Sequence, residues 1–333
     1  MGAARRRVDC RVRGAHPDAQ AQAPRGADEV RRRGRQTVRV TLDLPFDLQA
    51  HRGGAGLWPE NTLEAFGRAL ALGVSTLELD VHLTAQDDVV VSHDPTVHGG
   101  LADAHRIREL TRADLPPTMP LLRQVAALLR ERGADPVRVN LEIKYDALDA
   151  AELTTREEFV DKVVAALRID RMVERTSIQC FDWGVLALVH EAEPRLERNL
   201  LVSPRYLRPG SDGPSPWFDG IEVDPDFVRT ATTQGFTAIS PVHGSPYASG
   251  VADPAYTPFT TEALVYEAHG AGLRVVPYVV DDEATMRHLV RIGVDGLITN
   301  RPERLREVLA DEGRDLPPGF PGNHLPAKGV SLS

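Results

Sequence analysis

Three carboxylates lie where extended chain would aim them at one point. TLELDVHL (76–83) alternates Leu77, Leu79, Val81 and Leu83 with Glu78, Asp80 and His82. VRVNLEIK (137–144) repeats the pattern, with Asn140, Glu142 and Lys144 opposite Val139, Leu141 and Ile143. Alternate residues of a strand share a face, roughly 6.6 Å apart at about 3.3 Å rise per residue. Glu78 and Asp80 can therefore converge, and Glu142 can join them from an adjacent strand. Carboxylates packed together in this way repel one another unless a cation compensates. Oxygen-only ligation favours Ca²⁺, Mg²⁺ or Mn²⁺ over Zn²⁺. Polar residues sit the same way on FDLQAHRG (46–53), through Gln49 and His51, and on TSIQCF (176–181), through Gln179. DDVVVSHDP (87–95) adds a His93-Asp94 pair. The competing reading is the wet face of an antiparallel sheet. Repetition on four strands, each followed by a helix, argues against it.

The elements that must position these residues alternate along the chain. Strand patterns at 46–53, 76–83, 137–144, 176–181, 199–203, 236–240, 273–280 and 295–300 are followed by helix patterns at 61–73, 121–133, 156–169, 183–192, 225–235, 260–272, 282–293 and 301–310. The first helix has Asn61 or Thr62 as N-cap and Gly73 as stop. A hairpin arm at 89–94 and a loop to about Pro120 form an insertion, roughly 85–120, after the second strand. Eight βα units predict an α/β fold of (β/α)8 barrel type over residues 45–312, with its site at the C-terminal strand ends. A doubly wound open sheet is the runner-up. HRGGAG (51–56) lacks the GxGxxG spacing such a sheet would need.

Composition bounds the partners. Residues 1–40 hold eleven Arg against Asp9, Asp18, Asp28 and Glu29, about +7 in a chain whose formal net charge is -9. An acidic body speaks against nucleic acid and suits a divalent cation. The Arg-rich extension has no periodicity and reads as disordered, and residues 315–333 read as a flexible tail rich in Pro and Gly. No apolar run is long enough to span a membrane. ARRR (4–7) is not followed by the apolar core of a signal peptide, so a cytoplasmic location is expected, with export as the alternative. Cys10 and Cys180 are the only cysteines, too few for a disulfide framework.

Taken in order, several segments resemble the glycerophosphodiester phosphodiesterase family. They are HRGGAGLWPENTLEAFGRALALG (51–73), LELDVHLTAQDDVVVSHDPTV (77–97), NLEIK (140–144), IQCFDW (178–183) and VVPYVVDDEATMRHLVRIGVDGLITNRPE (275–303). HRG or PENT alone would be weak; the ordered set, from about Phe46 to Leu309, is specific. The last two segments look most like a bacterial branch that is often exported.

The resemblance implies a metal-dependent hydrolase of small glycerophosphodiesters, giving an alcohol and glycerol 3-phosphate. Glu78, Asp80 and Glu142 would hold the divalent metal, Ca²⁺ or Mg²⁺. His51 and His93 would act as general base and general acid, and Arg52 and Lys144 would hold the phosphate. The family reaction runs by attack of the glycerol 2-hydroxyl on phosphorus and then opening of a cyclic phosphate by water. Lys144 is one of only three lysines against 36 arginines, which suggests a need for a compact charge. Gln179 is expected in the substrate pocket, as is Tyr278, which stands where a Trp is frequent. Cys180 replaces a usual Ser, and TVHGGLADAHRIREL (96–110) lacks an Arg-containing run often seen there. A lysophospholipase D or sphingomyelinase D type activity is the enzyme alternative. A barrel used only for binding is the alternative of another class.

Other candidates receive plainer readings. His82 is expected at the pocket edge rather than on the metal, and His243 just beyond a strand end is a weak pocket candidate. His98 and His105 are expected to be solvated, and His190, His269 and His288 to lie on helix surfaces. Trp217 and Phe218 line a rim or pin a loop. Pro59, Glu60 and Asn61 set the first βα turn, with Glu60 able to back up a ligand.

Overall fold

The computed structural model describes residues 45–98, 104–149, 154–207, 214–223 and 226–322. The Arg-rich extension and the end of the tail, from residue 323, lie outside them.

Eight parallel strands form the barrel: β1 (Asp47–Ala50), β2 (Thr76–Leu83), β6 (Arg138–Ile143), β7 (Thr176–Cys180), β8 (Glu197–Val202), β9 (Ala238–Pro241), β12 (Arg274–Val275) and β13 (Gly296–Thr299). They pair in the order β12-β9-β8-β7-β6-β2-β1-β13. The two ends meet through backbone bonds, from Asp295 N–H to the Val275 carbonyl (2.9 Å), Ile298 N–H to Pro277 (3.0 Å) and Val280 N–H to Ile298 (3.0 Å). The expected seventh strand is cut to two residues where Pro277, which has no N–H to donate, interrupts its ladder. This is the (β/α)8 barrel read from the alternation of elements.

Helices α1 (Leu63–Leu72), α2 (Leu122–Glu131), α3 (Arg156–Ile169), α4 (Trp183–Ala192), α6 (Phe227–Thr233), α7 (Glu262–Gly270), α8 (Glu283–Ile292) and α9 (Pro302–Asp311) follow the strands in turn, with a short α5 (Pro204–Leu207) after β8. Local chemistry sets their starts. Thr62, Thr155, Asp182, Asp226, Thr261 and Asp282 each accept a backbone N–H of their own first turn. Thr62 is thus the cap of α1, and Asn61 is left for another task. Gly73 ends α1 at φ 94°, a conformation open to glycine.

The apolar strand residues point outward. Leu77, Leu79, Val81, Val139, Leu141 and Ile143 are buried with the helix residues Phe66, Leu70, Val125, Leu129, Phe159 and Val163 in one cluster. The residues of opposite parity fill the barrel interior, and there they are amides and hydroxyls. Asn140 Nδ2 donates to Gln49 Oε1 (2.8 Å) and Gln179 Oε1 (2.7 Å). Its Oδ1 accepts from Ser177 Oγ (3.0 Å) and Asn199 Nδ2 (3.2 Å). Four strands are stitched together by this layer, and burial is tolerable because each group has a partner.

The insertion after β2 begins with β3 (Val89–Val91), antiparallel on β2 with Val81 opposite Val91. A hairpin of β4 (Thr96–His98) and β5 (Ala104–Arg106) follows. Val90, Ile107, Leu115 and Leu121 give the insertion a small core of its own. After β9, the short β10 (Gly244–Ser245) and β11 (Thr257–Pro258) bracket a loop. Residues 315–322, expected as the start of a tail, instead run across α1: Phe320 N–H bonds the Leu70 carbonyl at 2.7 Å, and Arg306 Nη1 bonds the Pro317 carbonyl at 2.9 Å.

Candidate active site

The register of β2 against β6 places Glu78 beside Asn140 and Asp80 beside Glu142. The carboxylates of Glu78, Asp80 and Glu142 converge, with one oxygen from each lying within 4.8 Å of the others. Glu78 and Asp80 are wholly buried. Burial and then the charge of Asp80 push Glu78 well above the usual carboxylate range. Burial raises Glu142 too, against the pull of Lys144. Asp80 feels the same burial, yet Lys144 and Arg52 hold it below its ordinary value. Asp80 Oδ1 is buried with no hydrogen-bond partner. An orphaned oxygen facing two other carboxylates is the donor set of a hard divalent cation, and the residues present fit one.

Each carboxylate is held from behind. Glu78 accepts from the Arg52 backbone N–H (2.8 Å) and from Gln179 Nε2 (2.7 Å). Asp80 accepts from Asn61 Nδ2 (2.9 Å) and lies 3.2 Å from Arg52 Nε. Lys144 Nζ bonds Glu142 Oε1 at 2.9 Å and stands 3.8 Å from Asp80 Oδ1. Arg52 also meets both oxygens of Glu60 at 3.0 Å. Arg52 and Asn61 have φ of 50° and 55°, left-handed values uncommon away from glycine. Both side chains reach Asp80, which shows what the strained turn accomplishes. Although burial opposes it, Glu142 and Asp80 keep the Lys144 ammonium above its usual value, so it is a fixed positive charge.

His51 follows β1 directly, in a one-turn 3₁₀ helix. Its Nδ1 lies 2.6 Å from Asn300 Oδ1, just beyond β13. Asn300 Nδ2 donates to Asp281 Oδ2 (2.8 Å), and Asp281 Oδ1 accepts the Asn300 backbone N–H (2.8 Å). With Asn300 oriented by Asp281, its Oδ1 must accept, so Nδ1 of His51 carries the proton and Nε2 keeps its lone pair. Burial and the neighbouring Arg52 push His51 down to about 4. His93 is more open, and its Nδ1 lies 2.7 Å from Asp94 Oδ1. Burial and Lys144 lower it; Asp80 and Asp94 work the other way.

His82 is buried, and its Nε2 meets the His93 carbonyl at 3.1 Å, so it holds the backbone of the second histidine and lies off the carboxylate cluster. Gln179 is 1% exposed, its amide spent on Glu78 and Asn140, so it orients a carboxylate at the floor of the site. Tyr278 is half-buried at the mouth, with its hydroxyl on the Val202 carbonyl (3.3 Å). Cys180 is buried and bonds the Ile143 carbonyl at 3.2 Å. His243 is buried between Tyr256 and Tyr247. Trp217 and Phe218 are buried against Tyr206 and Trp183 and pin their loop. His98, His105, His190 and His288 are exposed, whereas His269 is half-buried against Asp295 (2.8 Å). Sequence reading passed over Asn300, Asp281 and the side-chain task of Asn61. Asn300 and Asp281 carried a signal, as polar residues at the last position of the eighth strand pattern and just past the end of the seventh.

The model of the glycerophosphoryl diester phosphodiesterase family matches residues 51–304. A glycerophosphodiester phosphodiesterase of Bacillus altitudinis is 27% identical over 269 residues, covering 77% of this chain and 94% of the relative. A lysophospholipase D of Rattus norvegicus is 23% identical, covering 78% of this chain and 85% of its own. Among solved structures, a Silicibacter pomeroyi protein named as a candidate glycerophosphoryl diester phosphodiesterase is 25% identical with a TM-score of 0.67, covering 83% of this chain and 96% of that one. An Oleispira antarctica phosphodiesterase, solved with the product sn-glycerol 3-phosphate, has a TM-score of 0.60 at 18% identity, covering 79% and 96%.

Proposed function

Because the chain belongs to the glycerophosphoryl diester phosphodiesterase family, we propose that it hydrolyses glycerophosphodiesters to an alcohol and sn-glycerol 3-phosphate by acid–base catalysis beside a divalent cation. The observation that carries this reading is the convergence of Glu78, Asp80 and Glu142, flanked by Arg52 and Lys144, with His51 and His93 both having Asp80 as a charged neighbour. The Oleispira antarctica neighbour holds the product expected of such a reaction.

The three carboxylates would hold Ca²⁺ or Mg²⁺, which when bound supplies positive charge to the phosphoryl oxygens. Arg52 and Lys144 add two fixed positive charges to the same oxygens. His51, neutral with its Nε2 lone pair available, takes the proton of the glycerol 2-hydroxyl as that oxygen bonds phosphorus. His93, whose Nδ1 proton is anchored on Asp94, gives its Nε2 proton to the departing alcohol as the old P–O bond breaks. The product of this step is a cyclic phosphate. In the second step the roles reverse: His93 takes a proton from water as the water oxygen bonds phosphorus, and His51 returns its proton to the 2-oxygen as the bond between that oxygen and phosphorus breaks.

Dialysis against EDTA abolishes turnover of glycerophosphocholine, and Ca²⁺ or Mg²⁺ restores it. Turnover that survives removal of metal sinks the ligand assignment. A substrate lacking the 2-hydroxyl is turned over at least about 100-fold more slowly, within the span that positioned proton transfer contributes. Equal rates would rule out attack by the substrate's own hydroxyl.

A further inference from the structure

The mouth of the barrel is divided in two. Strands β13, β1, β2 and β6 deliver Asn300, His51, Arg52, the three carboxylates and Lys144. The other four strands deliver rings at their C-terminal ends: Phe181 after β7, Tyr206 in α5 after β8, Tyr247 after β9 and Tyr278 beyond β12. The rings touch in sequence. Tyr206 and Phe181 are 4.1 Å apart, Phe181 and Tyr278 5.9 Å at 80°, and Tyr278 and Tyr247 6.5 Å at 52°. Planes meeting at such angles form the walls of a corner. None of these four rings is fully buried, and Tyr247 is 52% exposed. The corner adjoins the charged half, for Tyr278 has Glu142 as a charged neighbour, and Tyr247 has Asp281, Arg52 and Glu78.

The corner is also built to stay. Tyr247 sits on the loop between β10 and β11. His243, buried at its base, bonds the Tyr247 carbonyl (3.3 Å) and the Tyr256 hydroxyl (3.0 Å). A Cβ at Gly244 would lie 2.4 Å from the Tyr256 ring, so only glycine lets that ring lie there. Farther along, the Val251 N–H donates to Thr285 Oγ1 at 2.9 Å.

A glycerophosphodiester has two arms. The glycerol arm carries hydroxyls that need partners, and the polar half provides them. The other arm meets ring faces. The Tyr278 hydroxyl is engaged with the Val202 carbonyl and that of Tyr247 with the Val279 backbone. A primary ammonium would give up its water there for ring faces, because the nearby carboxylates are already bonded, Glu142 to Lys144, Asp281 to Asn300 and Glu78 to the Arg52 backbone and Gln179. A quaternary ammonium has no N–H to satisfy, and its diffuse charge is attracted by ring faces and nearby carboxylates. We propose that Phe181, Tyr278 and Tyr247 form the subsite of the leaving alcohol, and that this alcohol carries a quaternary ammonium, as choline does. The proposal rests on the phosphodiesterase reading above and specifies its substrate.

The test compares kcat/KM on the choline, ethanolamine and 3,3-dimethylbutyl esters of sn-glycero-3-phosphate, the last being the uncharged isostere of choline. Choline is expected to exceed each of the others about tenfold. Tyr247→Leu and Phe181→Leu reduce that ratio towards one, and Tyr247→Phe keeps it, because the ring face makes the contact. Equal rates on choline and its uncharged isostere, or the same ratio in Tyr247→Leu as in the wild type, would overturn the assignment. If no ester is turned over with Ca²⁺ or Mg²⁺, it is the phosphodiesterase reading that fails. Calorimetric binding then decides the subsite: tighter binding of phosphocholine than phosphoethanolamine supports it, and equal binding overturns it.

Discussion

At the scale of single residues, the site depends on groups that stand behind the proposed catalytic side chains. Asn300 sets the tautomer of His51 through one 2.6 Å contact, and Asp281 sets Asn300. Asn300→Leu should lower kcat by about 10- to 100-fold with KM little changed, since on the proposed mechanism it misdirects the proton acceptor and removes no binding contact. A matching rise in KM would show instead that Asn300 touches substrate. The histidines also fix an acid limit. Burial pushes His82 down to about 4, whereas in the unfolded chain a histidine titrates near 6.5. Between those values the unfolded chain binds the extra proton, so stability is complete above about pH 6.5 and is lost as pH falls towards 4. His82→Gln should flatten that part of the stability–pH curve, as measured by urea denaturation at stepped pH. An unchanged slope would mean that other groups carry the acid sensitivity.

At the scale of elements, a strand is an aiming device with period two. That is why Glu78, Asp80 and Glu142 were legible from alternation alone: parity selects a face, and the neighbouring strand supplies the third group. Gln179 shows where parity stops. Its inward direction was legible, but its depth was not, because depth depends on the stagger between strands, and register places Gln179 beside Glu142 on the site floor. The contact between His51 and Asn300, 249 residues apart in sequence, was illegible because it exists only after the sheet has closed on itself. The interior amide layer depends most on Asn140, which serves Gln49, Gln179, Ser177 and Asn199 together. Asn140→Leu strands several buried polar groups and should cost about 2–5 kcal/mol in chemical denaturation. A loss below about 1 kcal/mol would show that water takes over those bonds.

At the scale of the whole molecule, no helix among the described residues is long and apolar enough to cross a membrane. The segment 315–322, which lies across α1, does not reach the catalytic face from its place beside Leu70, Gly73 and Arg306. Phe320→Ala should therefore lower stability by about 1–2 kcal/mol, as partial burial of one ring implies, and leave kcat/KM unchanged. A change in activity without a change in melting temperature would contradict that division. The charged half of the site also carries a chronology. A chain emerging from the ribosome has made all three carboxylates, Arg52 and both histidines by residue 144. Asn300, which tells His51 which nitrogen keeps its proton, is made 156 residues later. A barrel still lacking its last strand thus has every proposed cation ligand but not the residue that orients the proposed proton acceptor.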